Sequence, residues 1–168
     1  MKRVILSALV LTAFAVNANA QATATATATI VTPISITKNV DMNFGNIAVQ
    51  ASTGGTVILA PAGTRTTGGA GGVTLPVVNG TVTAASFTVN GNNSYTYAIT
   101  LPSSAVTLTG PAAATMDATA FTSTPSGTGT LSGAGAQTLL VGATLTVAAA
   151  QAAGVYTSGN FNVTVNYN

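Results

Sequence analysis

The sequence predicts an all-β protein, an antiparallel β-sandwich. Three observations predict it. Apolar and polar residues alternate with period two through most of residues 21–168. Turn-forming Gly, Asn and Pro bound the alternating runs. The alternating runs are many and short, with turns at regular intervals, as in a sandwich.

In chain order, residues 1–20 form the first element, an expected signal peptide. Lys2 and Arg3 make a short positive region, and residues 4–16 are apolar apart from Ser7 and Thr12. Ala18-Asn19-Ala20 then supplies the small-x-small pattern read by a signal peptidase, so the mature chain is expected to begin at Gln21. The apolar run is short of the ~20 residues a membrane-spanning helix requires, and no later run approaches that length. Export through the periplasm to the cell surface is the expected route.

Residues 22–36 come next. Ala22, Ala24, Ala26, Ala28, Ile30, Ile34 and Ile36 fall on one parity and mostly Thr on the other. Side chains of a strand alternate faces, so this segment reads as a strand with an apolar side and a hydroxyl side. Pro33 marks it as an edge or a kink, since proline has no amide hydrogen for a ladder. The Ala-Thr repeat is also low in complexity, and a flexible tail is the other reading of it.

Further strands are expected over residues 42–49, 56–60, 81–89, 94–101, 138–147 and 161–167. Tyr95, Tyr97, Ile99 and Leu101 share one face, as do Leu139, Val141, Ala143, Leu145 and Val147. In the last run Phe161, Val163, Val165 and Tyr167 oppose Asn160, Asn162, Thr164 and Asn166. Between the runs, Gly54-Gly55, residues 68–72, Asn79-Gly80 and residues 127–129 tolerate the positive φ of tight turns. Asn90-Gly91-Asn92-Asn93 gives the strongest hairpin signal in the chain. Residues 145–153 are expected to end a strand and enter a loop closed by Gly154, a short helix favoured by the alanines being the other reading. One domain over residues 21–168 suits this length.

Composition excludes most catalytic chemistry. The chain has no His, Cys or Glu, so Ser-His-Asp and Cys-His arrangements cannot form. A zinc site would lack its two commonest ligand types, and calcium would lack carboxylates. The only acids are Asp41 and Asp117, and no sequence feature places them together as a catalytic pair. The glycines of residues 68–72 lack the Gly-Lys-Ser/Thr ending of a phosphate loop. No catalytic, cofactor or metal residue is therefore expected. Without disulfides, packing and backbone hydrogen bonds must hold the fold. Removing the signal leaves Lys38 and Arg65 against Asp41 and Asp117, a net charge of zero with no basic cluster for nucleic acid. A chain so poor in charge is suited to association.

Three stretches carry a resemblance. The first runs from Ala28 through Ile36 into Met42-Asn43-Phe44-Gly45-Asn46-Ile47. The second is the middle strand around Phe87 and residues 95–101. The third is the ending Gly154-Val155-Tyr156 through Phe161-Asn162-Val163-Thr164-Val165-Asn166-Tyr167. Together they resemble the family called domain of unknown function forty-four-oh-two, small exported bacterial β proteins similar to spore coat U-like and archaic chaperone–usher pilins. The resemblance implies an incomplete immunoglobulin-like sandwich that a strand from the next subunit completes. It implies that Ala22, Ala24, Ala26, Ala28 and Ile30, within residues 21–31, form a donor strand. Phe161, Val163, Val165 and Tyr167 would border the acceptor groove, where a periplasmic chaperone would also pair, and an outer-membrane usher is a further implied partner. The sequence departs from the pilin pattern in its small donor residues and in lacking a cysteine pair.

The functional expectation is a non-enzymatic structural subunit that polymerises with copies of itself into a surface fibre. The alternative is a self-contained secreted or periplasmic sandwich that binds a glycan or a protein partner.

Overall fold

The computed structural model describes residues 19–168; most of the expected signal peptide lies outside them. The chain divides into two compact units, one ending at Ile30 and the other spanning Val31–Asn168. Residues 19–30 form no strand or helix and are exposed throughout, with Ile30 at 96%. The strand expected over residues 22–36 is thus corrected: ordered pairing begins only at Ser35. Alternation gives a segment two faces, but a ladder also needs a neighbour, and residues 22–34 have none among the described residues.

The second unit is an all-β, antiparallel sandwich. Its strands are β1 (Ser35–Val40), β2 (Ala48–Val49), β3 (Gly55–Leu59), β4 (Arg65–Gly68), β5 (Val73–Thr74), β6 (Ala85–Asn90) and β7 (Thr96–Thr100), then β8 (Val106–Thr109), β9 (Thr115–Thr124), β10 (Thr128–Thr130), β11 (Ala136–Val147), β12 (Thr157–Ser158) and β13 (Thr164–Tyr167). A large sheet runs β1-β6-β11-β9-β8-β12, with the β3-β4 hairpin attached to β11. A small sheet runs β10-β7-β13, and β2 pairs β5 separately. The long strand β11 organises the large sheet. Residues 136–141 pair with β6 and residues 143–147 with β3, while β9 runs along its opposite side.

The inner face is that predicted from period two. Leu139, Val141, Ala143, Leu145 and Val147 are all buried along β11. With Ala85, Phe87 and Val89 of β6, the first two pack against Tyr97 and Val165 of the small sheet. A second cluster joins Ala143, Leu145 and Val147 to Phe44, Val57, Leu59, Val73 and Ala118.

Two expectations fail for local reasons. Residues 42–49 do not form one strand. The Asn43 side chain accepts a hydrogen bond from the Gly45 amide at 2.8 Å, and Gly45 has φ +68°. That turn breaks the ladder after a single Asn43–Thr83 bridge. Arg65 Nη1 then clamps it by donating to the Phe44 and Asn46 carbonyls. The Phe-Gly element is therefore a structural turn with Phe44 as its core anchor.

Residues 90–93 are likewise not a hairpin, because β6 and β7 belong to different sheets. Gly91 serves close packing: a Cβ there would collide with the Tyr167 hydroxyl. That hydroxyl accepts from the Asn92 amide at 2.6 Å and donates to the Thr32 carbonyl at 2.7 Å.

Candidate functional site

The two sheets do not cover each other equally. The small sheet has three strands and lies over β6 and the first half of β11. The inner face of β8 and β9 continues past it, carrying Val106, Leu108, Met116 and Phe121, all only half-buried. Over this face runs a groove of about 1250 Å³. The rest of its lining comes from residues 42–49 and residues 151–163, irregular chain apart from the two-residue strands β2 and β12, the latter paired with β8 at the sheet's edge.

Each wall follows from local sequence. Val106-Thr107-Leu108-Thr109 alternates cleanly and points its aliphatics inward. In β9 the inward residues are Met116 and Ala118, then Phe121 and Ser123, a change of parity. A bulge causes it: Thr144 pairs Thr119 and Gly142 pairs Thr122, so Ala143 faces two residues of β9. Ala120, one of those two, has φ +46°. The extra residue turns Phe121 into the groove, where its ring centroid lies 5.3 Å from that of Phe161.

The expected acceptor residues split between two environments. Phe161 and Val163 precede β13, are half-buried and line the groove. Val165 is buried in the closed core, and Tyr167 meets Tyr95 edge-on at 5.6 Å between centroids. The alternation predicted over residues 161–167 holds in the burial pattern, although only Thr164–Tyr167 is paired. The partner ends first: β7 stops at Thr100, and Leu101 is followed by Pro102. On its other side β13 has no ladder partner among the described residues. The expected donor residues Ala22, Ala24, Ala26, Ala28 and Ile30 lie in the other unit, exposed and outside any strand.

The site is electrostatically quiet. Lys38 Nζ and Asp41 Oδ1 form an ion pair of 2.6 Å on the groove's rim, with both side chains largely exposed. Asp117 lies on the outer face of β9 and accepts from Thr107 Oγ1 at 2.7 Å, so the two acids have separate partners. Every buried side-chain nitrogen or oxygen among the described residues has a hydrogen-bond partner. The groove thus offers an occupant an apolar floor, a backbone edge and a rim of polar side chains such as Asn160 and Asn162. Burial pushes the Tyr97 phenol above its usual value, and it donates to Gln137 Oε1 at 2.7 Å.

The sequence reading missed β8 and β9, which form the groove's floor. The Val106-x-Leu108 alternation was a usable signal for β8, whereas the bulge at Ala120 erased period two from β9.

Among the described residues no helix is long and apolar enough to cross a membrane. A family model described as Domain of unknown function (DUF4402) matches residues 34–167. No curated protein and no solved structure matches the chain.

Proposed function

The chain belongs to the DUF4402 family, and on that premise we propose that it is an exported structural subunit of a bacterial surface fibre, without enzymatic activity, assembled by β-strand donation. The observation that carries this is the groove, floored by half-buried aliphatic and aromatic side chains, beside a strand whose outer side has no ladder partner among the described residues. A strand laid there would pair with the backbone of residues 161–167 and cover Leu108, Met116 and Phe121. The alternating segment of residues 22–30, itself unpaired, supplies a strand of the required kind, and a head-to-tail contact that does not close yields a filament. A periplasmic chaperone would occupy the same edge before an usher delivers the subunit.

The donor's composition sets where its affinity lies. Each buried alanine methyl contributes about 0.8 kcal/mol, whereas burying an isoleucine side chain contributes about 1.5–3 kcal/mol. Ile30 is then the anchor, and the alanines allow close approach of the backbones. The absence of His, Cys and Glu supports a non-enzymatic role, because general acid–base catalysis relies chiefly on such groups.

Negative-stain microscopy of the protein from cell surfaces, with size-exclusion of the recombinant mature chain, tests this reading. Thin filaments that vanish on deletion of residues 21–29, while the remaining chain still folds, are the expected result. Ile30→Ala should weaken subunit association roughly 30-fold, corresponding to about 2 kcal/mol. A monomer at all concentrations, with no filaments on cells, would overturn strand donation and favour the self-contained sandwich.

A further inference from the structure

The outer face of the large sheet is a second feature, meeting the groove at Val40. Register places threonines in rows across the strands. Thr37, Thr88 and Thr138 stand side by side on β1, β6 and β11. Nearer the other end, Thr56, Thr146, Asp117 and Thr107 cross β3, β11, β9 and β8. Asp117 is the only charged side chain in these rows. Of the other three among the described residues, Lys38 and Asp41 pair at the groove rim and Arg65 is spent on the Phe44–Asn46 turn.

Two exposed apolar residues interrupt this hydroxyl surface. Ile58 projects from β3 at 42% exposure, flanked in register by Thr144 and Thr66. Val40 is equally exposed and pairs with Ser86, which pairs in turn with Leu140. Val40, Leu140 and Pro61 border a shallow hollow of about 290 Å³. One face therefore carries both a protruding aliphatic side chain and an apolar hollow able to receive one.

We propose that this face is a lateral interface between two copies of the chain, each inserting Ile58 into the other's hollow. A two-fold contact requires a self-complementary surface, in which residue i meets j and j meets i. A knob and a hollow on the same face meet that condition. So do threonine hydroxyls, which donate and accept equally well. The size is adequate. The sheet's roughly fifty strand residues, at about 4.8 Å by 3.4 Å each, give a face of roughly 800 Å², which matches the ~800 Å² per partner of a standard interface when the whole face is covered. Near-neutrality removes the repulsion that keeps copies of most proteins apart and disfavours a polyanion, which would need cations on this face. Where subunits are strung into fibres, as proposed above, the same contact bundles the fibres side by side; only that consequence rests on the fibre reading.

The test is sedimentation of the recombinant mature chain over a concentration series, with microscopy of fibres from cells. The wild type should self-associate reversibly, unchanged between about 0.1 and 1 M NaCl because no ion pair holds the contact. Ile58→Lys with Thr138→Lys should weaken the dimer about 100-fold or more, leaving the thermal melt and single fibres intact. Ile58→Val, which keeps the knob, should retain the dimer and guards against misfolding of the lysine variant. Dimers or bundles unaffected by the lysines would overturn the proposal. So would a face that retains a neutral polysaccharide resin but not a second copy. Missing fibres with an intact Ile58-dependent dimer would count against strand donation alone.

Discussion

The inner face of the large sheet is one continuous surface, yet its two halves are closed in different ways. Beneath β10-β7-β13 the packing is complete, and Leu139, Val141, Val89 and Tyr97 have no solvent exposure. Along β8 and β9 the same kind of alternating strand faces irregular chain and a groove, and its aliphatics stay half-buried. The strands are as well formed in one half as in the other. What differs is the partner layer: the groove lies where the small sheet ends and no regular layer covers β8 and β9.

The largest contrast should appear in truncations. Leu139→Ala removes a fully enclosed side chain and should cost about 2–5 kcal/mol in urea unfolding, with the upper range expected where the cavity cannot collapse. Leu108→Ala, in a half-buried site, should cost about 1 kcal/mol or less in the isolated chain, in proportion to the smaller area removed from water. Equal losses at the two sites would mean that the groove is filled in solution. In assembled fibres the Leu108 loss should grow towards that of Leu139, because a donated strand would complete its burial.

Next comes the latch at the closed end. The Tyr167 hydroxyl bridges the Asn92 amide and the Thr32 carbonyl, so it joins the final strand to the connection between the sheets and to the start of the unit. Tyr167→Phe leaves both backbone groups without that partner and should cost about 1–2 kcal/mol by thermal or chemical unfolding. A negligible loss would mean that water replaces the hydroxyl, and that this end is as open as the groove.

How much of this was legible in the sequence depended on whether period two survived. The closed half was read correctly in β6, β7, β11 and β13, where Phe87, Tyr97, Leu139 and Val165 keep strict parity. The floor of the groove was only partly legible, because the bulge at Ala120 shifts the inward residue from Ala118 to Phe121. Turn composition also misled. Asn90-Gly91 has hairpin chemistry, but neither residue takes a positive φ, and Gly91 is needed for the room it leaves Tyr167. The roles of Arg65 and of the Ile58 face rest on contacts and registers that no single-strand pattern contains.

Alkaline pH separates the halves without any cavity. Burial raises the Tyr97 phenol above its usual value near 10, so between the unfolded and folded values the native state holds a proton that the unfolded chain has released. The stabilisation is fully present below the unfolded value and is lost as pH rises through the folded one. Melting temperature should fall in that window, and Tyr97→Phe should flatten the decline. An unchanged slope in the variant would show that ionisation of Tyr97 does not drive alkaline unfolding of the closed half.

The smallest effect belongs to the groove rim. Lys38 and Asp41 are 2.6 Å apart but largely exposed, so Lys38→Ala should change the stability of the isolated chain by no more than about 1 kcal/mol. The value of this measurement lies in its sensitivity to whatever covers the groove. An occupant laid along residues 161–167 would exclude water from the rim and make the pair costlier to break, because removing one partner leaves the other charge desolvated. A loss of several kcal/mol in fibres, beside a negligible one in the monomer, would locate the donated strand on the groove. Indifference in both states would place it elsewhere, leaving the half-exposed aliphatics of β8 and β9 without a cover.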